Sequence, residues 1–262
     1  MNLNNYSKIE NRFIKKGFII EKVERNESIN YINNSIKKTL IKLLKLNIPA
    51  KKLDLNNLHK YLNQKSLNKV RLNLIYEINS DKNFRKNYFF LAKNMLNKII
   101  GNELVMQKNI NLSIQLPNDE SSLLPIHSDT WSGDSPFESV LWIPLVNCFK
   151  TKSMFILDSK AINKFNKNFL SKKIKSVSDL YIHFKKNLKF IKIDYKNYLL
   201  FNQNLPHGNL VNSTSETRVS LNCRFKGLFT PYRQKELGSF FSPIQIRPAT
   251  KIGLEYKAPG QK

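Results

Sequence analysis

The sequence predicts an α+β protein in which helices pack on one sheet of an antiparallel β-sandwich or barrel. Three observations carry that expectation. Apolar residues in the first hundred positions recur at spacings of three and four. From about Glu103 the rhythm changes to short β-type runs separated by turns. No linker-like stretch divides the 262 residues, so a single domain, 1–262, is expected.

Residues 27–46 place Ile29, Ile32, Ile36, Leu40, Leu43 and Leu44 on one helical stripe, with lysines on the opposite side. Residues 53–62 and 67–78 repeat the pattern more briefly, and 84–100 form a fourth segment with Gly101 as its C-cap. Residues 1–102 therefore read as a mainly helical buttress. Strand-like runs follow at 104–116, 138–146, 154–157, 190–193, 198–201, 218–225 and 244–246. Turn-rich pieces at 116–120, 130–136 and 202–209 separate them. Residues 103–256 thus form the core, and the lysine-rich, partly helical stretch at about 160–186 reads as a basic insertion at its rim.

The composition excludes several classes. With 41% hydrophobic and 11% aromatic residues, the chain has material for a core and is not a low-complexity sequence. Its apolar runs fall far short of a membrane helix, and the N-terminal MNLNNYSKIENRFIKKG has no apolar leader segment, so a cytoplasmic protein without a membrane partner is expected. Cys148 and Cys223 cannot supply a disulfide framework and read as buried free thiols. The net charge of +25 raises nucleic-acid binding, but the excess is lysine spread along the chain rather than arginine in a recognition motif. An anionic small-molecule substrate accounts for the charge equally well.

Two of the four histidines keep unusual company. In LPIHSDTWSGDSPFESVLWIPL, His127 and Asp129 project to the same face of an extended segment, where both reach one metal ion. In NQNLPHGNLVNSTSETRVSLNCRFKG, His207 lies in a turn between Pro206 and Gly208. Two histidines and one carboxylate with open positions form the facial triad of non-heme iron(II) sites. Eleven residues beyond His207, Arg218, Ser220, Asn222 and Arg224 alternate on one face of a strand. A fork-shaped cation beside a hydroxyl suits a small dicarboxylate. An ordinary solvent-facing strand would show the same alternation.

These motifs resemble the iron(II)/2-oxoglutarate-dependent dioxygenases. The stretches LPIHSDTWSGDSPFESVLWIPLVN, PHGNLVNSTSETRVSLNCRFK and LGSFFSPIQIRPATKIGLEY look most like a subgroup encoded beside carbohydrate-biosynthesis genes. That subgroup is similar to an oxygenase of the streptomycin pathway and distantly like phytanoyl-CoA hydroxylases. The resemblance spans about 103–256. It implies a double-stranded β-helix (jelly-roll, cupin-like) core, with the N-terminal helices on one sheet. It further implies His127, Asp129 and His207 as ligands of iron(II), with Arg218 and Ser220 on the distal carboxylate of 2-oxoglutarate. O2 is the remaining co-substrate, and hydroxylation of a carbohydrate, nucleotide-sugar or similar polar metabolite is the implied reaction. Asp129 stands where halogenating members carry a small residue, which disfavours halogenation.

Trp131 and Asp134, in the loop after Asp129, are candidate substrate contacts, as are Asn222, Arg224 and Arg247. Gln107 and Asn111 lie on the strand entering the core, where contact with 2-oxoglutarate or substrate competes with a structural role. Two other readings fit parts of the pattern. A cupin-like metal-dependent sugar isomerase or epimerase without 2-oxoglutarate uses the triad but leaves Arg218 and Ser220 unexplained. An inactive scaffold binding nucleic acid or an anionic glycan has no need of all three ligands.

Overall fold

A computed structural model of the chain describes residues 6–157, 162–163 and 177–260. Helix α1 (Lys8–Lys16) ends at Gly17, whose φ of 78° reverses the chain into strand β1 (Phe18–Lys22). Then follow α2 (Asn26–Leu44), two short 3-10 turns, α3 (Gln64–Ser80), α4 (Lys82–Phe90) and α5 (Lys93–Ile99). The β-rich part holds β2 (Leu104–Gln107), β3 (Asn111–Gln115), β4 (Ser139–Pro144) and β5 (Phe155–Ile156). After these come α6 (Val177–Phe184), β6 (Lys189–Phe190), β7 (Asn197–Asn202), β8 (His207–Gly208), β9 (Arg218–Gly227), β10 (Phe241–Gln245) and α7 (Pro248–Glu255).

Two antiparallel sheets result. The major sheet has seven strands in the order β1-β7-β4-β9-β2-β10, with β3 pairing the first half of β9. The minor sheet is β6-β5-β8, extended by an antiparallel bridge between His127 and His207. The helices cover one face of the major sheet. On α2, Ile29, Ile32, Ile36 and Leu40 are fully buried, each contributing roughly 1.5–3 kcal/mol of burial. On α4, the Tyr88 hydroxyl donates to the Leu141 carbonyl at 2.6 Å, and Phe89 packs on Phe225 of β9 with ring centroids 6.2 Å apart. Leu180 and Phe184 of α6 close a smaller core with Ile126, Phe155 and Leu157 around the minor sheet. Residues 160–161 and 164–176 of the basic stretch at 160–186 lie outside the described residues.

The structure differs from the sequence expectation in four places, each for a physical reason. β1 lies inside the stretch read as helical. Its FIIEK run pairs with β7 (Phe18 opposite Phe201), a partner some 180 residues away. Within residues 53–62 the chain forms a 3-10 helix, Leu55–Lys60, and not an α-helix. The segment 84–100 breaks at Ala92, because the Glu24 carboxylate accepts the N–H groups of Asn94 and Met95 (2.8 and 2.9 Å) and so starts a new helix there. The run 104–116 splits at Ile110, where Asn79 accepts the backbone N–H at 2.7 Å and donates to the carbonyl at 3.0 Å. No helix among the described residues is long and apolar enough to cross a membrane.

Candidate metal centre

The site is built where β8 meets the segment before β4. His127 and His207 exchange backbone hydrogen bonds in both directions, at 3.0 and 2.8 Å, which brings their rings to 4.3 Å between centroids. Each Nδ1 faces a carbonyl two residues back, Pro125 for His127 (2.8 Å) and Leu205 for His207 (2.9 Å). A carbonyl only accepts, so both Nδ1 atoms carry the proton. Both Nε2 atoms are left with their lone pairs free, the tautomer a metal requires. Burial pushes the His207 imidazole down to about 4, with the neighbouring His127 acting in the same direction.

Ser128 is extended, and Asp129 opens a 3-10 turn, Asp129–Ser132. Its Oδ1 lies 3.6 Å from His127 Nε2. One ligand atom from each of His127, Asp129 and His207 falls within 4.8 Å of the others, so the donor set fits a divalent cation. Two glycines make this geometry accessible. Gly133, at φ 91°, ends the turn that carries Asp129. Gly208 passes so close to the Leu124 carbonyl that a Cβ there would sit 2.6 Å from it.

The three side chains face a cavity of about 410 Å³ bounded by both sheets, a size usual for small-molecule sites. Its apolar wall is Val140, Trp142, Met154 and Phe201; its polar lining includes Asn111, Ser113, Asn222 and Arg218. The alternation on β9 therefore points inward, as the dicarboxylate reading of that strand expects, and not to solvent, the alternative the same alternation allows. Arg218 is 5% exposed and Ser220 is fully buried. Arg218 donates to Ser113 Oγ at 3.1 Å, yet its Nε and the Ser220 hydroxyl have no partner. Among the described residues no carboxylate pairs with Arg218. A buried guanidinium without an anion is costly, and a ligand carboxylate relieves that cost.

The remaining candidates divide between the cavity and its surroundings. Arg224 lines the cavity but is committed to protein carboxylates: Asp129 at 3.1 Å, Asp134 at 3.6 Å and Glu138 at 3.8 Å. Gln203 accepts from its Nε at 3.1 Å, and Gln107 from its backbone N–H at 3.3 Å. Asp134 is 3% exposed and ion-paired with Lys235 as well, so it braces the site from behind and does not line the cavity. Trp131 is half exposed and outside the cavity lining. Arg247 is exposed, its backbone N–H held by Glu103 at the start of α7, also outside the lining. Asn222 does line the cavity, bonded through its Oδ1 to Asn111 at 3.0 Å.

Glu138, Gln203, Lys235 and Arg71 belong to the site or its support and escaped the sequence reading. Glu138 is buried, and desolvation together with Asp134 raises its carboxyl above the usual range. For Arg71 a signal existed, since a cation there interrupts the apolar stripe of residues 67–78.

No protein-family model matches the chain, and no curated protein matches it. Solved structures do. A non-heme monooxygenase, ThoJ, in its nickel complex aligns over 92% of this chain and 84% of its own, at 12% identity and a TM-score of 0.52. SnoK, a non-heme alpha-ketoglutarate-dependent carbocyclase from nogalamycin biosynthesis, covers 92% and 97%, at 9% identity and TM-score 0.54. EctD from S. alaskensis covers 88% and 81%, at 13% identity and TM-score 0.54. This chain shares its fold with these solved structures, two of which are described as non-heme enzymes and one of those as alpha-ketoglutarate-dependent.

Proposed function

We propose that this protein is a non-heme iron(II)- and 2-oxoglutarate-dependent oxygenase that hydroxylates a small polar metabolite of the carbohydrate or nucleotide-sugar kind. The observation that carries the reading is the pairing of two Nδ1-protonated histidines and a carboxylate with a buried, anion-free arginine in one cavity. The two facing sheets support a jelly-roll, double-stranded β-helix core. Buried free thiols at Cys148 and Cys223 suit a reducing cytoplasmic compartment.

In this reading His127, Asp129 and His207 hold iron(II) through Nε2, a carboxylate oxygen and Nε2. Bound there with 2-oxoglutarate and O2, iron supplies the oxidising chemistry, in which the co-substrate is decarboxylated to succinate and the substrate gains a hydroxyl. Arg218 pairs the distal carboxylate of the co-substrate, with Ser220 donating a hydrogen bond. Trp142, Val140, Phe201 and Met154 keep water from the reacting face. Arg224 fixes the Asp129 carboxylate in place. The Arg218 and Ser220 roles favour this reading over an isomerase that makes no use of 2-oxoglutarate.

Anaerobic addition of iron(II) and then 2-oxoglutarate to metal-free protein tests it. The expected result is a visible metal-to-ligand charge-transfer band in the wild type that is absent in His207→Ala. Folded, iron-loaded protein that shows no band on adding 2-oxoglutarate would overturn the assignment.

A further inference from the structure

We infer that Arg71 forms a second anion-binding position in the cavity, one that pairs a phosphate or carboxylate group on the substrate itself. The inference rests on the reading above, in which Arg218 serves the co-substrate. Leu67, Val70, Leu74 and Ile78 are the buried residues of α3. Arg71 stands four residues after Leu67 and three before Leu74, so helical geometry puts it on that same face. An apolar residue would fit there with no polar group to satisfy.

The Arg71 side chain instead lines the cavity, with its Nε buried and unpartnered. Its Nη2 donates to Asn68 Oδ1 at 2.8 Å, within its own helix. No carboxylate among the described residues lies within ion-pair distance of it. Three arginines line this one cavity, and among the described residues only Arg224 has carboxylate partners. Arg71 and Arg218 are therefore both left for ligand anions, and they enter from different elements, α3 and β9. One dicarboxylate co-substrate, held by Arg218 at its distal end and by the metal at the other, leaves Arg71 without a partner. A second oxyanion supplies it, in the bidentate geometry a guanidinium favours. The Asn111–Asn222 amide pair and the Trp142 ring offer hydrogen bonds and a stacking face for a hydroxylated body. The substrate class this assigns is a phosphorylated or carboxylated sugar or polyol.

The test is equilibrium titration with four probes: inorganic phosphate, glucose 6-phosphate, glucuronate and neutral glucose. It is run on the metal-free protein and on the anaerobic iron(II)- and 2-oxoglutarate-loaded protein. At least one anionic probe is expected to bind the wild type more tightly than glucose does. Arg71→Gln should weaken that probe at least tenfold, Arg71→Lys should keep part of the affinity, and 2-oxoglutarate affinity should change less than twofold. Arg71→Leu, which restores an apolar face to α3, controls for folding through its melting temperature. If Arg71→Gln raises the 2-oxoglutarate requirement as Arg218→Leu does, Arg71 is a second clamp on the co-substrate and the inference fails. It also fails if no anionic probe binds, or if binding ignores the substitution. A wild type that shows no charge-transfer band but keeps Arg71-dependent anion binding would sink the oxygenase reading and leave the anion position standing.

Discussion

The Arg224 guanidinium lies 3.1 Å from Asp129 Oδ2, behind the face that Asp129 turns toward His127. The same arginine reaches Asp134 and Glu138, so one side chain braces a metal ligand and neutralises two further buried acids. Outer contacts of this kind hold a ligand in position before the metal arrives.

Replacing Arg224 with Gln therefore removes the cation these three acids share, leaving Asp134 paired with Lys235 and Asp129 without its arginine partner. Loss of one partner from a buried charge cluster costs about 3–5 kcal/mol. The expected outcome is a clear drop in urea midpoint for the metal-free protein. Iron affinity should fall roughly 10–100-fold, read by titration with a competing chelator. An unchanged iron affinity would show that Asp129 needs no brace.

Arg218 should behave in the opposite way. Its guanidinium is buried without an anion, so Arg218→Leu removes an unsatisfied charge from the ligand-free protein. Thermal unfolding should show the variant as stable as the wild type or more so. The 2-oxoglutarate concentration needed to develop the charge-transfer band should rise about 100-fold or more, a loss of roughly 2.7 kcal/mol. Ser220→Ala should show the same split with a smaller loss.

Acid should weaken the metal-free protein over a defined window. His207 is held down to about 4 by burial, whereas an unfolded histidine titrates near 6.5. Between those values the unfolded chain binds a proton that the folded chain refuses, so stability falls as pH drops from about 6.5 to about 4. His207→Gln should flatten that part of the stability–pH curve, measured by urea unfolding at half-unit steps.

Gly208 tests how tightly the ligand segment is threaded. A methyl at this position meets the Leu124 carbonyl and the Phe155 ring, both inside 3.0 Å. Gly208→Ala should cost about 1–3 kcal/mol, the usual range for overpacking. Because the shift passes to His207, iron binding should weaken as well. Gly238→Ala, at a position with open space but positive φ, serves as a comparison in which only stability should fall.

The metal ligands were legible because chemistry dictates their identity. Few side chains bind iron(II), so a histidine and an acid two residues apart, with a later histidine and an Arg-x-Ser, stand out in a chain with four histidines. The helical stripe of α2 and the alternation of β9 were legible too, since local periodicity reports which face is buried. The inward direction of the β9 polar face followed from the histidine and acid upstream, not from the alternation itself. Periodicity separates two faces without saying which meets the solvent.

Partnerships set by distant residues required the tertiary structure. Glu24 starts α5 some seventy residues on, and Asn79 divides β2 from β3 thirty-one residues on. Arg224 and Asp134, ninety residues apart, are paired by the fold, a contact that no spacing in the sequence announces. Sequence alone determined which residue types could do this chemistry and how each segment divides into faces, because both follow from short-range geometry. Only the folded chain decided which charges are spent on one another and which, Arg218 and Arg71, have no carboxylate partner among the described residues, because ion pairing depends on distances that backbone spacing does not encode.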